Sequence, residues 1–298
     1  MIYNTFTQMI GKTPIVKLDL LRDSSINFYF KLEGMNPTGS IKDRAAFSII
    51  KHKIETGELK SGQRLLDASS GSFACSIAYI GKILGYPVTV VTGTKMTKDK
   101  LNFVRYFEAK NITFGRFTID GNRYCSDTLC KTDPEKYCFL DQLHNWKNPE
   151  THYTTTGPEI LSEIPDISAV AMSLGSGGSF NGVSRYIRNK KTDTKLISVT
   201  AASNTKIPGV GSFIDGDYIT PFIDDIEKKN LSDYTAVVSM EDAVKRTYEL
   251  KEKGLYVGFQ TGCVCQGMLD AIKELNISGN VLVLSGDSGW KNTDKLYT

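Results

Sequence analysis

Long apolar runs are absent from this chain of 298 residues. No segment reaches the ~18 consecutive apolar residues that a spanning helix requires, and the opening MIYNTFTQMIGKTP has neither the basic region nor the apolar core of a secretory signal. A cytoplasmic protein with no membrane partner is expected. Neither sign of charge dominates: 36 Lys and Arg stand against 33 Asp and Glu, a formal charge of +3, and no five or six basic residues run together. That excludes the electrostatic footprint of a nucleic-acid binder. Metal-ligating residues are sparse as well. The three histidines, His52, His144 and His152, form no ligand-spaced cluster, and the six cysteines (Cys75, Cys125, Cys130, Cys138, Cys263, Cys265) never fall in a C-x-x-C pair. Reduced thiols and no metal site are expected. A chain this long buries about three quarters of its unfolded surface and needs neither kind of staple.

What is present is an alternation of apolar, β-branched runs with stretches of helical period. Asn27 to Leu32 precedes a helix from about Ser40, Arg64 to Ala68 precedes Phe73 to Leu84, and Pro87 to Thr92 precedes Thr97 to Ala109. The pattern returns after residue 150, with Ser168 to Leu174 before Phe180 to Asn189, then Lys195 to Ala201, a helix from Glu241 to Glu252, and Asn280 to Ser285. This predicts an α/β protein whose mostly parallel sheets are covered by helices. The two blocks, joined through the polar stretch Asp120 to Pro149, predict two lobes with a cleft between them. No internal repeat or low-complexity segment interrupts the pattern.

Glycine-rich turns stand where strands end and helices begin, at Ser69-Ser70-Gly71-Ser72 and at Gly175-Ser176-Gly177-Gly178-Ser179. In an open α/β sheet that is where ligands bind. The second turn offers backbone N–H groups and a helix N-terminus to a phosphate, yet it carries no Walker lysine and does not space as G-x-G-x-x-G. Alone it reads better as a tight strand-to-helix turn. A further signal is Asn36-Pro37-Thr38-Gly39-Ser40-Ile41-Lys42-Asp43-Arg44, which puts a lysine just inside a helix N-terminus. A cation there opposes the helix dipole. At the surface it swings into water, whereas a buried lysine has a lowered pKa that suits imine formation and proton abstraction.

The Lys42 motif, the Ser69 to Phe73 loop and the glycine loop at 175, in that order, resemble the cysteine synthase and cystathionine β-synthase family of pyridoxal-phosphate enzymes, of fold type II. Further matches bracket nearly the whole chain: Ile10-Gly11-Lys12-Thr13-Pro14, Gly209-Val210-Gly211, Gly258-Phe259-Gln260-Thr261-Gly262, and Gly286 to Lys291. The resemblance implies a large cofactor-binding domain of residues 1–40 and 146–298, a smaller mobile substrate-loop domain of residues 41–145, and a homodimer. It leaves no room for an appended regulatory or haem-binding extension.

The resemblance also implies roles. Lys42 would hold pyridoxal 5'-phosphate in imine linkage and take the Cα proton of the bound amino acid. Gly175, Ser176, Gly177, Gly178 and Ser179 would hold the cofactor phosphate, and Ser285 would meet the ring nitrogen as a neutral hydroxyl, which favours expulsion of a leaving group from Cβ. Ser69, Ser70, Gly71, Ser72 and Phe73, with Gly211 and Gln260, would bind the substrate. The chemistry implied is that of a transferase or lyase acting at Cβ of cysteine or a related β-substituted L-alanine through an α-aminoacrylate, with sulfide or another small nucleophile used or released. Alternatives are ordinary cysteine synthesis from O-acetylserine, a serine or threonine dehydratase, and a catalytically idle binding protein. Asp43 and the lack of an x-Arg-Gly sequence after Lys42 weigh against the dehydratase.

Two departures from the family pattern concern the substrate. The family loop Thr-Ser-Gly-Asn-Thr-Gly is changed so that Ser72 replaces the Asn that contacts the cofactor ring oxygen and Phe73 replaces a Thr, and Gly-Ile-Ser-Ser-Gly is changed to the segment from Gly258 to Gly262. Asp224, Asp225 and Asp233 are placed by the resemblance in a loop and strand start near the cleft mouth, where Asp233 would serve as general base on a water or a weak nucleophile. Cys75 reads as core. Cys263 and Cys265 lie at a helix start, where a lowered thiol pKa is an option.

Overall fold

The computed structural model describes residues 2–21, 25–94, 96–191 and 193–296. Among them ten strands form two sheets. The larger runs β1 (Ile15–Leu18), β2 (Ile26–Leu32), β10 (Gly279–Ser285), β7 (Ile167–Ser173), β8 (Lys195–Ala201), β9 (Tyr234–Val238), with β1 antiparallel to β2 and every other pair parallel. The smaller is wholly parallel, in the order β5 (Lys110–Thr113), β4 (Val88–Thr92), β3 (Arg64–Ala68), β6 (Tyr137–Phe139). Seven described helices run eight residues or more: α1 (Lys42–Glu55), α2 (Ser72–Leu84), α3 (Lys98–Tyr106), α4 (Gly178–Lys190), α5 (Pro221–Lys228), α6 (Met240–Glu252) and α7 (Phe259–Leu275). No described helix is long and apolar enough to cross a membrane.

Alternate residues of each central strand enter different cores, as the two-residue repeat of a strand requires. Ala169 and Ala171 of β7 with Val281 and Val283 of β10 pack under α7 against Val264, Met268 and Ile272. Val170 and Met172 with Leu282 and Leu284 face the other way, onto Phe180, Val183 and Ile187 of α4. Both faces are therefore apolar, which is why these strands read as continuous hydrophobic runs. The small sheet is sandwiched likewise, with Leu65 and Val90 facing α1 and α2 and with Leu66, Ala68 and Val91 facing Cys125 and Tyr137.

The start of α1 is bound to the large sheet. Ile41 N–H donates to Gly286 O at 3.1 Å, and Arg44 lies buried between two carboxylates, its Nε 2.7 Å from Glu33 Oε2 and its Nη2 2.6 Å from Glu159 Oε2. Lys31 reaches Glu159 at 2.8 Å, and Thr13 donates to Glu33 at 2.6 Å. The Gly11 N–H donates to Asn36 Oδ1 at 2.8 Å, so the Ile10 to Pro14 motif closes this cluster from outside. The C-terminal segment spans to the small lobe: Ser288 N–H donates to Gly39 O, and Trp290 stacks on Phe103 of α3 with ring centroids 5.3 Å apart.

Several expectations need correction. The stretch from Asp120 to Pro149 is not a plain linker, since Tyr137–Phe139 within it forms edge strand β6. Strands β1 and β5 escaped notice because they are short or half polar, and β9 was expected only as a strand start beside Asp233. Asp224 and Asp225 lie on helix α5 and pair with Lys228 and Lys229, and the Phe259 to Gly262 segment is the first turn of α7.

The Arg44 cluster generates a stability prediction. Arg44→Met leaves the buried Glu33 carboxylate without its main cation, and removing one partner of a buried pair costs about 3–5 kcal/mol. Burial pushes the Glu33 and Glu159 carboxyls up, but their bonds to Arg44 outweigh it, and Glu159 is held at about 2. Carboxyls held below their unfolded value stabilise the fold fully above pH 4.5 and lose that contribution as pH falls toward 2. The penalty of Arg44→Met in urea unfolding is therefore expected to be larger at pH 7 than at pH 3.

Candidate active site

A cavity of about 580 Å³ opens where both sheets present the carboxyl ends of their strands. The segments following β2, β3, β4, β5, β7, β8 and β10 all reach it, at Ser40 to Lys42, Ser69 to Phe73, Gly93, Arg116 to Ile119, Gly175 to Ser176, Thr205 to Tyr218 and Gly286 to Asp287. These seven strands thus deliver their loops to one place.

Lys42 is the first residue of α1, and its N–H donates to Ser40 Oγ at 3.2 Å. Its amine lies beneath the cleft surface, where burial pushes the pKa down to about 8. The neighbouring Asp43 turns away from the cleft. Its carboxylate accepts from the Thr38 N–H at 2.8 Å and from the Ser76 hydroxyl at 2.6 Å, so it fixes the turn that carries Lys42. Burial nevertheless pushes its pKa up, partly offset by the charge of Lys291 and by these bonds.

Gly175, Ser176 and Ser179 line the cavity. Gly177 caps α4 with φ +82°, in the left-handed region that favours glycine, while Gly178 sits behind the loop, where an added Cβ would fall 2.2 Å from Asn148 Oδ1. A Cβ on Gly175 would come within 2.9 Å of Gly209 O. Thr220 donates to Ser176 O at 2.7 Å, and Gly211 N–H donates to Leu174 O at 2.7 Å, which pins the 205–218 segment over the loop. The first-turn N–H groups of a helix have no intrahelical partner, and with the positive end of the dipole they make an anion cradle. Its donors fit the phosphate of pyridoxal phosphate.

All five residues from Ser69 to Phe73 line the cavity. Two of the hydroxyls also hold the loop in shape: Ser69 Oγ accepts from Gly71 N–H at 3.2 Å, and Ser70 Oγ accepts from Gly93 N–H at 2.6 Å. Ser72 opens α2, and Phe73, 2% exposed, belongs to the small-lobe core as much as to the cleft. Gln260 donates through Nε2 to Ser173 Oγ at 2.6 Å, leaving its buried Oε1 unpartnered.

Asp233 and Ser285 are placed elsewhere. Asp233 precedes β9, at the amino end of the strand, where it bonds Arg188 and accepts from Leu196 N–H at 2.7 Å. It therefore ties strand to helix, away from the carboxyl ends that build the cleft. Leu284 and Gly286 line the cavity, so Ser285, between them on a strand, points to the other face and meets Thr261 Oγ1 at 3.0 Å. The acidic group that does line the cleft after β10 is Asp287, held by Thr261 through its hydroxyl at 2.7 Å and its N–H at 3.2 Å. Cys263 and Cys265 have no activated thiol, since burial pushes each up to about 12. The roles of Asp287 and Lys291 went unassigned although both lie in the motif from Gly286 to Lys291. Thr220 carried no signal, being an ordinary helix cap in sequence.

Comparison with known proteins agrees with this geometry. The family model described as "Pyridoxal-phosphate dependent enzyme" matches residues 6–286. Cysteine synthase B of Salmonella typhimurium is 32% identical over 270 residues, 89% of this chain and 87% of that protein. A hydrogen sulfide-producing enzyme from Fusobacterium nucleatum superposes with TM-score 0.87 at 29% identity, covering 97% of this chain and 99% of its own. An O-acetylserine dependent cystathionine β-synthase from Helicobacter pylori superposes with TM-score 0.88 at 26% identity over the full length of both chains. With a half-buried lysine in the cleft, a glycine-built anion cradle and a family match over nearly all its length, the chain belongs to the pyridoxal-phosphate dependent enzymes.

Proposed function

We propose that this enzyme acts at Cβ of L-cysteine or a related β-substituted L-alanine, expelling the Cβ substituent and admitting a small nucleophile in its place. The observation that carries the reading is the half-buried Lys42 amine, its pKa lowered by partial desolvation, opening onto the same cavity as the anion cradle at α4 and the hydroxyl-lined loop at α2. Bound pyridoxal phosphate supplies a sink for negative charge at the substrate Cα. Gly175, Ser176 and Ser179 would hold its phosphate and Lys42 its aldehyde carbon. The side chains supply the rest. An amine with a pKa near 8 is neutral in a sizeable fraction at physiological pH, so Lys42 accepts the Cα proton and returns one. The α2 N-terminus and the hydroxyls of Ser69 and Ser72 receive the substrate carboxylate. The loop from Thr205 to Tyr218 covers the cavity and limits water.

The changes at Ser72 and Phe73, with the likeness to a sulfide-producing enzyme, favour cysteine as the substrate consumed. The likeness to cysteine synthases supports a second reading, cysteine formation from O-acetylserine and sulfide. A homodimer and a cytoplasmic location complete the proposal. Sedimentation at twice the chain mass tests the former.

Two measurements follow. Holoenzyme incubated with L-cysteine alone is expected to release sulfide together with serine, lanthionine or pyruvate. Absence of sulfide, with cysteine formed from O-acetylserine plus sulfide, selects the second reading. For the lysine, covalent uptake of cofactor by the apo-protein requires the neutral amine, so its rate is expected to rise with pH through about 8 and then level off. Lys42→Ala is expected to lose the borohydride-fixed cofactor adduct in the mass spectrum and to lower turnover by about 10³-fold or more. A retained adduct overturns the assignment.

A further inference from the structure

A row of three hydrogen-bonded side chains leads out of the cavity at its mouth. Tyr218 ends the segment that covers the cavity and lines its wall. The tyrosine hydroxyl lies 2.8 Å from Nε2 of His144, and Nδ1 of His144 lies 2.8 Å from Asp141 Oδ1. The histidine follows β6 of the small sheet and the tyrosine follows β8 of the large one, and the two rings meet edge to face with centroids 5.7 Å apart. Asp141 is itself held in place. Its Oδ1 also accepts from Asn122 Nδ2 at 2.9 Å, and its backbone carbonyl accepts from the N–H groups of His144 and Asn145 at 3.1 and 2.8 Å.

The order of these groups gives the row a direction. A carboxylate has no proton to give, so the proton between Asp141 and His144 sits on Nδ1, and Nε2 is an acceptor. The Tyr218 hydroxyl therefore donates to His144 and turns its oxygen lone pairs to a donor in the cavity. His144 does not line the cavity and is 33% exposed, so the row runs from the cleft to solvent. A strap between the lobes would be served by the bond from Tyr218 to His144 alone. The carboxylate behind the ring fixes its tautomer and stabilises it once a second proton has been taken up. A replacement reaction calls for such a path. Lys42 takes the Cα proton and holds it until it is returned, so a nucleophile that reaches Cβ as X–H needs a second base, inside a cavity covered by the segment from Thr205 to Tyr218.

We propose that Tyr218 is a catalytic residue, the base that deprotonates the incoming nucleophile, and that His144 and Asp141 are positioning residues that carry the proton out of the cavity. As the bond from X to Cβ forms, the X–H proton passes to the Tyr218 oxygen while the Tyr218 hydroxyl proton passes to His144 Nε2. The imidazolium then gives a proton to solvent, which restores both side chains. The group expelled from Cβ leaves as an anion, so protons and charge balance over the turnover. The proposal rests on the replacement reading above.

The test separates the two halves of the turnover on holoenzyme. With L-cysteine, or with O-acetylserine and 2-mercaptoethanol, quenched-flow sampling reads expulsion of sulfide or acetate in the first turnover apart from steady-state formation of the new amino acid. Tyr218→Phe keeps the ring and removes the proton acceptor, so it is expected to leave first-turnover expulsion within about twofold of the parent while lowering product formation by about 10²-fold. His144→Gln keeps a hydrogen-bonding group beside the hydroxyl but takes up no proton, and is expected to show the same split, by about tenfold or more. Recovery of the His144→Ala rate on addition of imidazole supports the proton path directly. A strap with no part in the chemistry predicts otherwise: His144→Gln is silent, and Tyr218→Phe slows expulsion and product formation together or changes KM alone. Either result overturns the proposal. A parent enzyme that expels neither group overturns the replacement reading and this proposal with it, whereas a parent that turns over and is matched by both variants overturns the proton path alone.

Discussion

The buried guanidinium of Arg44, gripped between Glu33 and Glu159, is the constraint on which the rest of the site depends. It lies two residues beyond Lys42 on the first turn of α1. A lysine at a helix N-terminus is electrostatically misplaced, and left alone that turn would fray until the amine reached water. The cluster prevents this by fixing the turn to the end of β2, while Ile41 N–H holds it to the loop after β10. The lowered pKa of Lys42 is thus a product of its surroundings. A planar fork that bonds both carboxylates at once is something lysine at position 44 could not reproduce.

The same economy recurs around the cleft. Ser70 and Thr220 are polar residues of the cavity wall and Asp43 stands behind it, yet each spends its hydrogen bonds on backbone or neighbouring side chains that fix a loop. Positioning comes from satisfied groups. Capacity to bind comes from the unsatisfied ones, which in this cavity include Gln260 Oε1, Thr97 Oγ1 and Asn292 Oδ1.

Much of this was legible in the amino-acid sequence because it is local. The apolar runs at Ile167–Ser173 and Lys195–Ala201 declare themselves as strands covered on both faces, and the glycines at 175 and 177 declare a turn. Side-chain direction is not local in that sense. Ser285 and Asp287 are two residues apart beside a strand end and both bond Thr261, yet only Asp287 also lines the cavity, which the order of residues does not reveal. Asp233 misled for a related reason: its place at a strand start is legible, but only the parallel pairing with β8 shows that this end lies away from the carboxyl ends that build the cleft. The short edge strand β6 was hidden because three residues, two buried and one half-buried, carry no period.

The order of strands in the large sheet has a consequence for how the molecule comes into being. The small sheet draws all its strands from residues 64–139, so it closes from contacts near in sequence. The large sheet seats β10 between β2 and β7, pairing Gly279 with Ile26 across most of the chain. Pairings of such separation form late and slowly. During synthesis the small lobe can therefore mature first, while Lys42 stays in solvent until residues 279–285 emerge and insert. The reactive amine acquires its buried setting in the same event that completes the sheet.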